Sequence, residues 1–201
     1  MTLSASQSAI IAKWTAPVSA NGDSVSGYKV YVDDGFGGPF KLVLDGADQS
    51  STYQHAIESL KCGLNYFVKV SALNTAGEGP TIEQSLWLGA VPSEPLNPVL
   101  VAVTPNTEAT IGWTRPLTDG CLTIKSYTVN KDGLDHQSLI DPSLTTFTDD
   151  IRVDGAIGTL ITYKVKAINE AGQSMYSQEL KVTVGQVPNA PSNLRVRSFN
   201  N

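Results

Sequence analysis

Three blocks of this chain recur in the same order at an offset of 95 to 99 residues. Trp14, Pro17 and Tyr28 are matched by Trp113, Pro116 and Tyr127, with Tyr fourteen residues after Trp in both sets. VKVSALNTAGEG (68–79) parallels YKVKAINEAGQS (163–174), which pairs Asn74 with Asn169 and Gly77 with Gly172. GAVPSEP (89–95) parallels GQVPNAP (185–191). A chain repeated in this way folds as repeated units, because matched residues need equivalent neighbours in each copy. Its 201 residues, 41% of them hydrophobic, suffice for two packed cores.

Each unit reads as strands. SGYKVYV (26–32) and NYFVKVSAL (65–73) alternate their side chains with period two, as a strand with one buried face does. KSYTVNK (125–131), TYKVKAI (162–168) and ELKVTVG (179–185) do the same in the second unit. The breaks carry turn chemistry: Asn21-Gly22, Asp34-Gly35, Asp45-Gly46, Asp119-Gly120 and Asp132-Gly133. No window of useful length shows amphipathic helix spacing. About seven short strands per unit, with regular turns, predict an all-β chain of two antiparallel sandwiches in tandem.

Trp14, Tyr28 and the run Leu60…Tyr66-x-x-x-Val70-x-Ala72-x-Asn74-x-x-Gly77 resemble the fibronectin type III pattern. Trp113, Tyr127, Val165, Ala167, Asn169 and Gly172 repeat it. The resemblance spans essentially the whole chain and implies strands A, B, C, C′, E, F and G, with each Trp buried between two sheets. It gives Tyr66 the role of the corner tyrosine, whose hydroxyl ties the E–F loop to the backbone. The second unit departs here: Ile161 stands at that place and Tyr163 takes a position usually held by another core residue. A differently anchored corner is expected there. The repeat divides the chain into 1–90, lacking the start of strand A, 91–186, and 187–201, the lead and strand A of a truncated third unit. The chain therefore reads as an excerpt of a longer array. Its last segment is expected to be held by contacts along the second unit, or by strand addition to an open edge of the first unit in another copy.

Little in the sequence supports chemistry. A net charge of −5, from 14 Lys and Arg against 19 Asp and Glu, disfavours a phosphate-backbone partner. No apolar run approaches a membrane span, so direct membrane insertion is not expected. The N-terminal stretch lacks the basic start and long apolar segment of a secretory signal, which is informative only for a complete gene product. His55 and His136 fall in different units without a partner motif; His136 is expected in a turn. Asp33-Asp34 and Asp149-Asp150 read as solvated turn residues rather than a calcium loop, and Gly35-x-Gly37-Gly38 as a flexible hairpin tip. No catalytic residue, metal or cofactor is expected. Arg-Gly-Asp is absent from the matching F–G loops, NTAGEGP (74–80) and NEAGQSM (169–175).

Two features fall at the junction of the units. The resemblance puts Cys62 in the E–F loop of the first unit and Cys121 in the B–C loop of the second. These loops lie at poles that face each other in a head-to-tail pair. The cysteines then either meet as an interdomain disulfide or stand apart as two thiols, because rotation about the linker readily carries the Cα atoms beyond ~7 Å. Trp87 aligns with Thr183 and points outward beside the linker, where it packs on Val91 and Pro92, contacts the next unit or meets a partner. The expectation is a non-catalytic spacer, adhesion or protein-interaction segment of a larger cell-surface or extracellular protein. Its partners would be neighbouring domains or other proteins. The alternatives are an intracellular cytoskeletal or ciliary scaffold and an accessory module of a secreted carbohydrate-active enzyme.

Overall fold

A computed structural model of the chain describes residues 1–6, 8–105, 107–139, 141–152 and 158–185, together with 189, 190 and 192. The described residues contain strands and no helix. In the first unit, β1 (Thr2–Ser6), β2 (Ala9–Lys13) and β5 (Gln54–Ile57) form one antiparallel sheet in the order β1-β2-β5. The facing sheet runs β4 (Lys41–Gly46), β3 (Gly27–Val32), β6 (Asn65–Asn74). Both the two-residue β7 (Gly77–Glu78) and β8 (Ile82–Trp87) pair with β6.

The second unit repeats this plan. One sheet is ordered β13 (Thr146–Asp150), β10 (Glu108–Thr114), β9 (Leu96–Thr104). The other is β12 (Leu134–Leu139), β11 (Ser126–Lys131), β14 (Leu160–Asn169), with β15 (Gly172–Gln173) and β16 (Leu180–Thr183) both on β14. Alternation sends one row of side chains from each sheet into the space between. Ile10, Ala12, Trp14, Tyr28, Val30, Tyr66, Val68 and Val70 fill the first core. Ile111, Trp113, Tyr127, Val129, Phe147, Ile161, Tyr163 and Val165 fill the second. Each Trp packs against its matched Tyr, with ring centroids 5.6 Å apart for Trp14–Tyr28 and 5.4 Å for Trp113–Tyr127.

The structure departs from the sequence reading at several polar positions. Asp33 and Asp149 are buried, not solvated. The Asp33 carboxylate accepts the backbone N–H groups of Phe67 and Gly37, and Asp34 accepts those of Phe36 and Gly38. The glycine-rich tip is thereby tied to two carboxylates rather than left flexible. His136 lies within β12, because the turn is made earlier by Asp132 and Gly133, both at positive φ. Its Nε2 is 3.3 Å from Asp149, which also accepts the Tyr163 hydroxyl at 2.6 Å and pairs with Lys131 at 2.7 Å. The second unit thus anchors Tyr163 across the sandwich to β13.

Asp135 on β12 shows how charge holds the outer face of that sheet. Lys166 at 2.7 Å, then Tyr176 and Asn130, hold its carboxyl down to about 2. The folded value lies below the ordinary Asp value of ~3.9, so this contribution is complete above about pH 4 and vanishes as pH falls through 2. Acid unfolding followed by tyrosine fluorescence is expected to show stability falling across that window. Lys166→Met should flatten the fall, and an unchanged slope in the variant would remove this assignment.

Candidate functional site

The junction between the units brings together close backbone approaches, linker hydrogen bonds and a disulfide. It begins in the first unit with the loop after β5. The Tyr66 hydroxyl accepts the Lys61 N–H at 3.0 Å and donates to the Lys61 carbonyl at 3.2 Å, which fixes the residue next to Cys62. Gly63 N–H donates to the Leu88 carbonyl at 2.7 Å, and Leu88 N–H to the Leu64 carbonyl at 2.8 Å. The chain leaving β8 is therefore bonded to the same loop that carries Cys62. Tyr66→Phe should cost about 1 kcal/mol, the usual net worth of such a bond, and should leave the second unit's melting unchanged. Calorimetry of the full chain reads this; equal destabilisation of both units would contradict a local role.

The second unit then grips the linker. Ala90 N–H donates to the Gly120 carbonyl at 2.9 Å, and the Asn169 side-chain amide donates to the carbonyls of Ala90 at 2.8 Å and Asp119 at 2.7 Å. The Asn169 carbonyl oxygen accepts Ala171 N–H and Gly172 N–H, so this buried side chain joins the F–G turn, the B–C loop and the linker. Ser93 and Thr118 exchange two further bonds, Ser93 N–H to the Thr118 carbonyl and Thr118 N–H to Ser93 Oγ. Pro92 and Pro95 are buried, and the ring of each fixes φ in a segment already held at 88, 90 and 93.

Three glycines allow the contact. A Cβ on Gly120 would lie 2.0 Å from the Ala90 carbonyl oxygen. One on Gly89 would meet Leu122 Cγ at 2.6 Å, and one on Gly63 the Cys121 carbonyl oxygen at 2.9 Å. Leu122 is buried against the linker rather than in either core cluster. Between these surfaces the structure joins Cys62 to Cys121 in a disulfide, with the Cα atoms 5.8 Å apart.

The first unit's own pole shows what is special about this arrangement. Its groove is lined by Ser19, Ala20, Asn21, Asn74 and Gly77, the counterparts of Thr118, Asp119, Gly120, Asn169 and Gly172. Asn74 donates to the Ala20 carbonyl at 3.1 Å, as Asn169 does to Asp119. Asn21, however, carries a side chain where Gly120 has none, so a linker in the same pose would collide with it. Asp23, where the second unit has Leu122, instead clasps Thr75 through its backbone N–H and hydroxyl. The two poles share a fold and differ in what they can receive.

Of the residues singled out in the sequence, Cys62, Cys121 and Pro92 lie in this junction, as does Val91, whose Cγ1 would lie 3.3 Å from a Cβ built on Gly172. Trp87 stands opposite Asn65 on β8 and is 40% exposed, while Leu88 beside it is fully buried. Trp14, Tyr28, Tyr66, Trp113, Tyr127 and Tyr163 are buried core residues. The sequence marks Asn169, Gly120 and Gly89 as repeat, turn and linker residues without showing their place at the junction, and Gly63 and Leu122 belong to none of its motifs. For Gly120 and Leu122 a signal lies in the mismatches of the repeat, Gly120-Cys121-Leu122 against Asn21-Gly22-Asp23. The expectation of strand addition through 187–201 falls outside the described residues, apart from 189, 190 and 192. Among the described residues there is no group of three His, Cys, Asp or Glu placed to hold a metal ion.

Residues 1–86 match the family model of the Fibronectin type III domain, and the second unit repeats the same strand order around its own Trp and Tyr. The first unit is a fibronectin type III domain, and the second repeats its plan. It is 28% identical over 185 residues to the Titin homolog of Caenorhabditis elegans, covering 88% of this chain and 1% of that protein. It is 34% identical over 107 residues to Fibronectin type III domain-containing protein 1 of Margaritifera margaritifera, covering 52% of this chain and 14% of that one. It is 24% identical over 200 residues to Receptor-type tyrosine-protein phosphatase F of Bos taurus, covering 92% of this chain and 10% of that one. The chain thus spans a small part of each of these relatives. Among solved structures it is similar to the FN1-FN3 domains of chicken CNTN1, at a TM-score of 0.48 and 16% identity, over 92% of this chain and 66% of that one. The fibronectin type III match points to a structural or interaction module.

Proposed function

We propose that this pair of fibronectin type III domains is a non-catalytic spacer that holds its two sandwiches at a fixed mutual angle within a larger extracellular or cell-surface protein. The observation that carries the reading is the double hold on the linker. Leu88 is bonded to the first domain, Ala90 and Ser93 to the second, and the Cys62–Cys121 disulfide closes the same gap. A flexible pair would leave its linker bonded to neither side. The disulfide supports an oxidising compartment, since reducing cytosol keeps such bonds open. Trp87 and Val91, each well exposed beside the junction, are the apolar surface assigned to partner contact, and the fixed angle presents them in one orientation.

Residual dipolar couplings measured on the full oxidised chain test this. The two domains are expected to report one alignment tensor. Two tensors of different magnitude would show independent reorientation and end the spacer reading.

A further inference from the structure

The disulfide does more than fix an angle, because of where it enters the chain. Cys62 precedes β6 and Cys121 follows β10, with a sequence separation of 59. The loop it closes contains β6, β7 and β8 of the first domain, the linker, and β9 and β10 of the second. From these positions we infer that the bond is a tether that diverts tension around the junction and that reduction of the bond releases a fixed reserve of length. This rests on the reading of the pair as a spacer.

The mechanics follow from covalent connectivity. Tension applied at the ends enters through β1 and travels to Cys62, crosses the disulfide to Cys121, and leaves through the rest of the second domain. The covalent path spans only 5.8 Å between Cα atoms at this crossing. The hydrogen bonds of Leu88, Ala90 and Ser93 and the side-chain grip of Asn169 all lie off that path or are bridged by it. Even with both sandwiches pulled apart, residues 63–120 stay slack. Once the bond is broken those residues join the path, and an extended chain adds on the order of 200 Å at ~3.3–3.6 Å per residue.

The bond is placed for exchange with a dithiol. Cys121 is exposed and Cys62 half-buried, so a thiolate of the reductant can reach Sγ of Cys121 from solvent. Attack forms a mixed disulfide and releases Cys62 as a thiolate, which takes up a proton. The second thiol of the reductant then closes its own disulfide and releases Cys121 as a thiol. Two electrons pass to the chain, and the dithiol leaves oxidised.

Single-molecule stretching of the full chain, held through ligated peptide tags at its two ends, tests the inference. The oxidised chain is expected to reach a fully unfolded length shorter by on the order of 200 Å than the same chain in a dithiol reductant. Cys62→Ser should give the long value in both buffers. Equal lengths in both buffers for the native sequence, or a disulfide-linked dimer in place of the short species, would overturn the tether. A short length combined with two alignment tensors would instead keep the tether and reject the fixed-angle spacer.

Discussion

Replacing Gly120 with Ala is expected to lower the stability of the second domain by about 3 kcal/mol and to displace the linker it receives. Two effects add. Gly120 sits at φ 73°, where a Cβ is strained, and that Cβ would stand 2.0 Å from the carbonyl oxygen of Ala90. The obstacle is backbone, held by the Asn169 amide and by its own bond to Gly120, so it cannot step aside as a flexible side chain would. Amide shifts of residues 88–93 should move together with a fall in melting temperature. Gly22→Ala provides the comparison. Gly22 has φ 94° and nothing within 4 Å of its built Cβ, so only backbone strain of about 1 kcal/mol applies. Equal costs at the two positions would show that crowding at the junction is not what Gly120 relieves.

The paired change Cys62→Ser with Cys121→Ser is expected to have the largest effect. Closing a loop of this length restricts the unfolded chain by about 4 kcal/mol in the chain-entropy account. Part of that is lost from each domain, since each contributes strands to the loop. The hydrogen bonds on Leu88, Ala90 and Ser93 remain, so both domains should still fold, with lower denaturant midpoints and more than one interdomain orientation. Chemical denaturation reads the first result and small-angle scattering the second. A variant with unchanged midpoints would mean that the bond contributes nothing to the unfolded state's restriction.

The sequence disclosed the strands better than the junction, for a physical reason. Strand and core positions repeat: Trp14 and Trp113, Tyr28 and Tyr127, and the alternating runs around Val68 and Val165 each need the same half-buried surface, so the same residue types recur. The junction depends on residues that do not recur, Cys62, Gly120, Cys121 and Leu122. Gly120, Cys121 and Leu122 answer to the linker and to Cys62, partners that lie far off in sequence and have no counterpart at the first pole. Buried carboxylates escaped for a related reason. Asp33 and Asp149 sit beside turn-like sequence, but their partners, Phe67 N–H and the Tyr163 hydroxyl, come from strands that only the fold brings alongside. Asn169 was visible as a family residue. Its grip on the linker depends on Ala90 reaching the pole, which residue type alone does not reveal.

These two domains are joined by a covalent bond across their junction as well as by their linker. Non-reducing peptide mapping of the oxidised chain after thiol alkylation tests it most directly. A cross-linked peptide pair containing Cys62 and Cys121, with no alkylated cysteine, is the predicted result. Both cysteines recovered alkylated from oxidised monomer would contradict it.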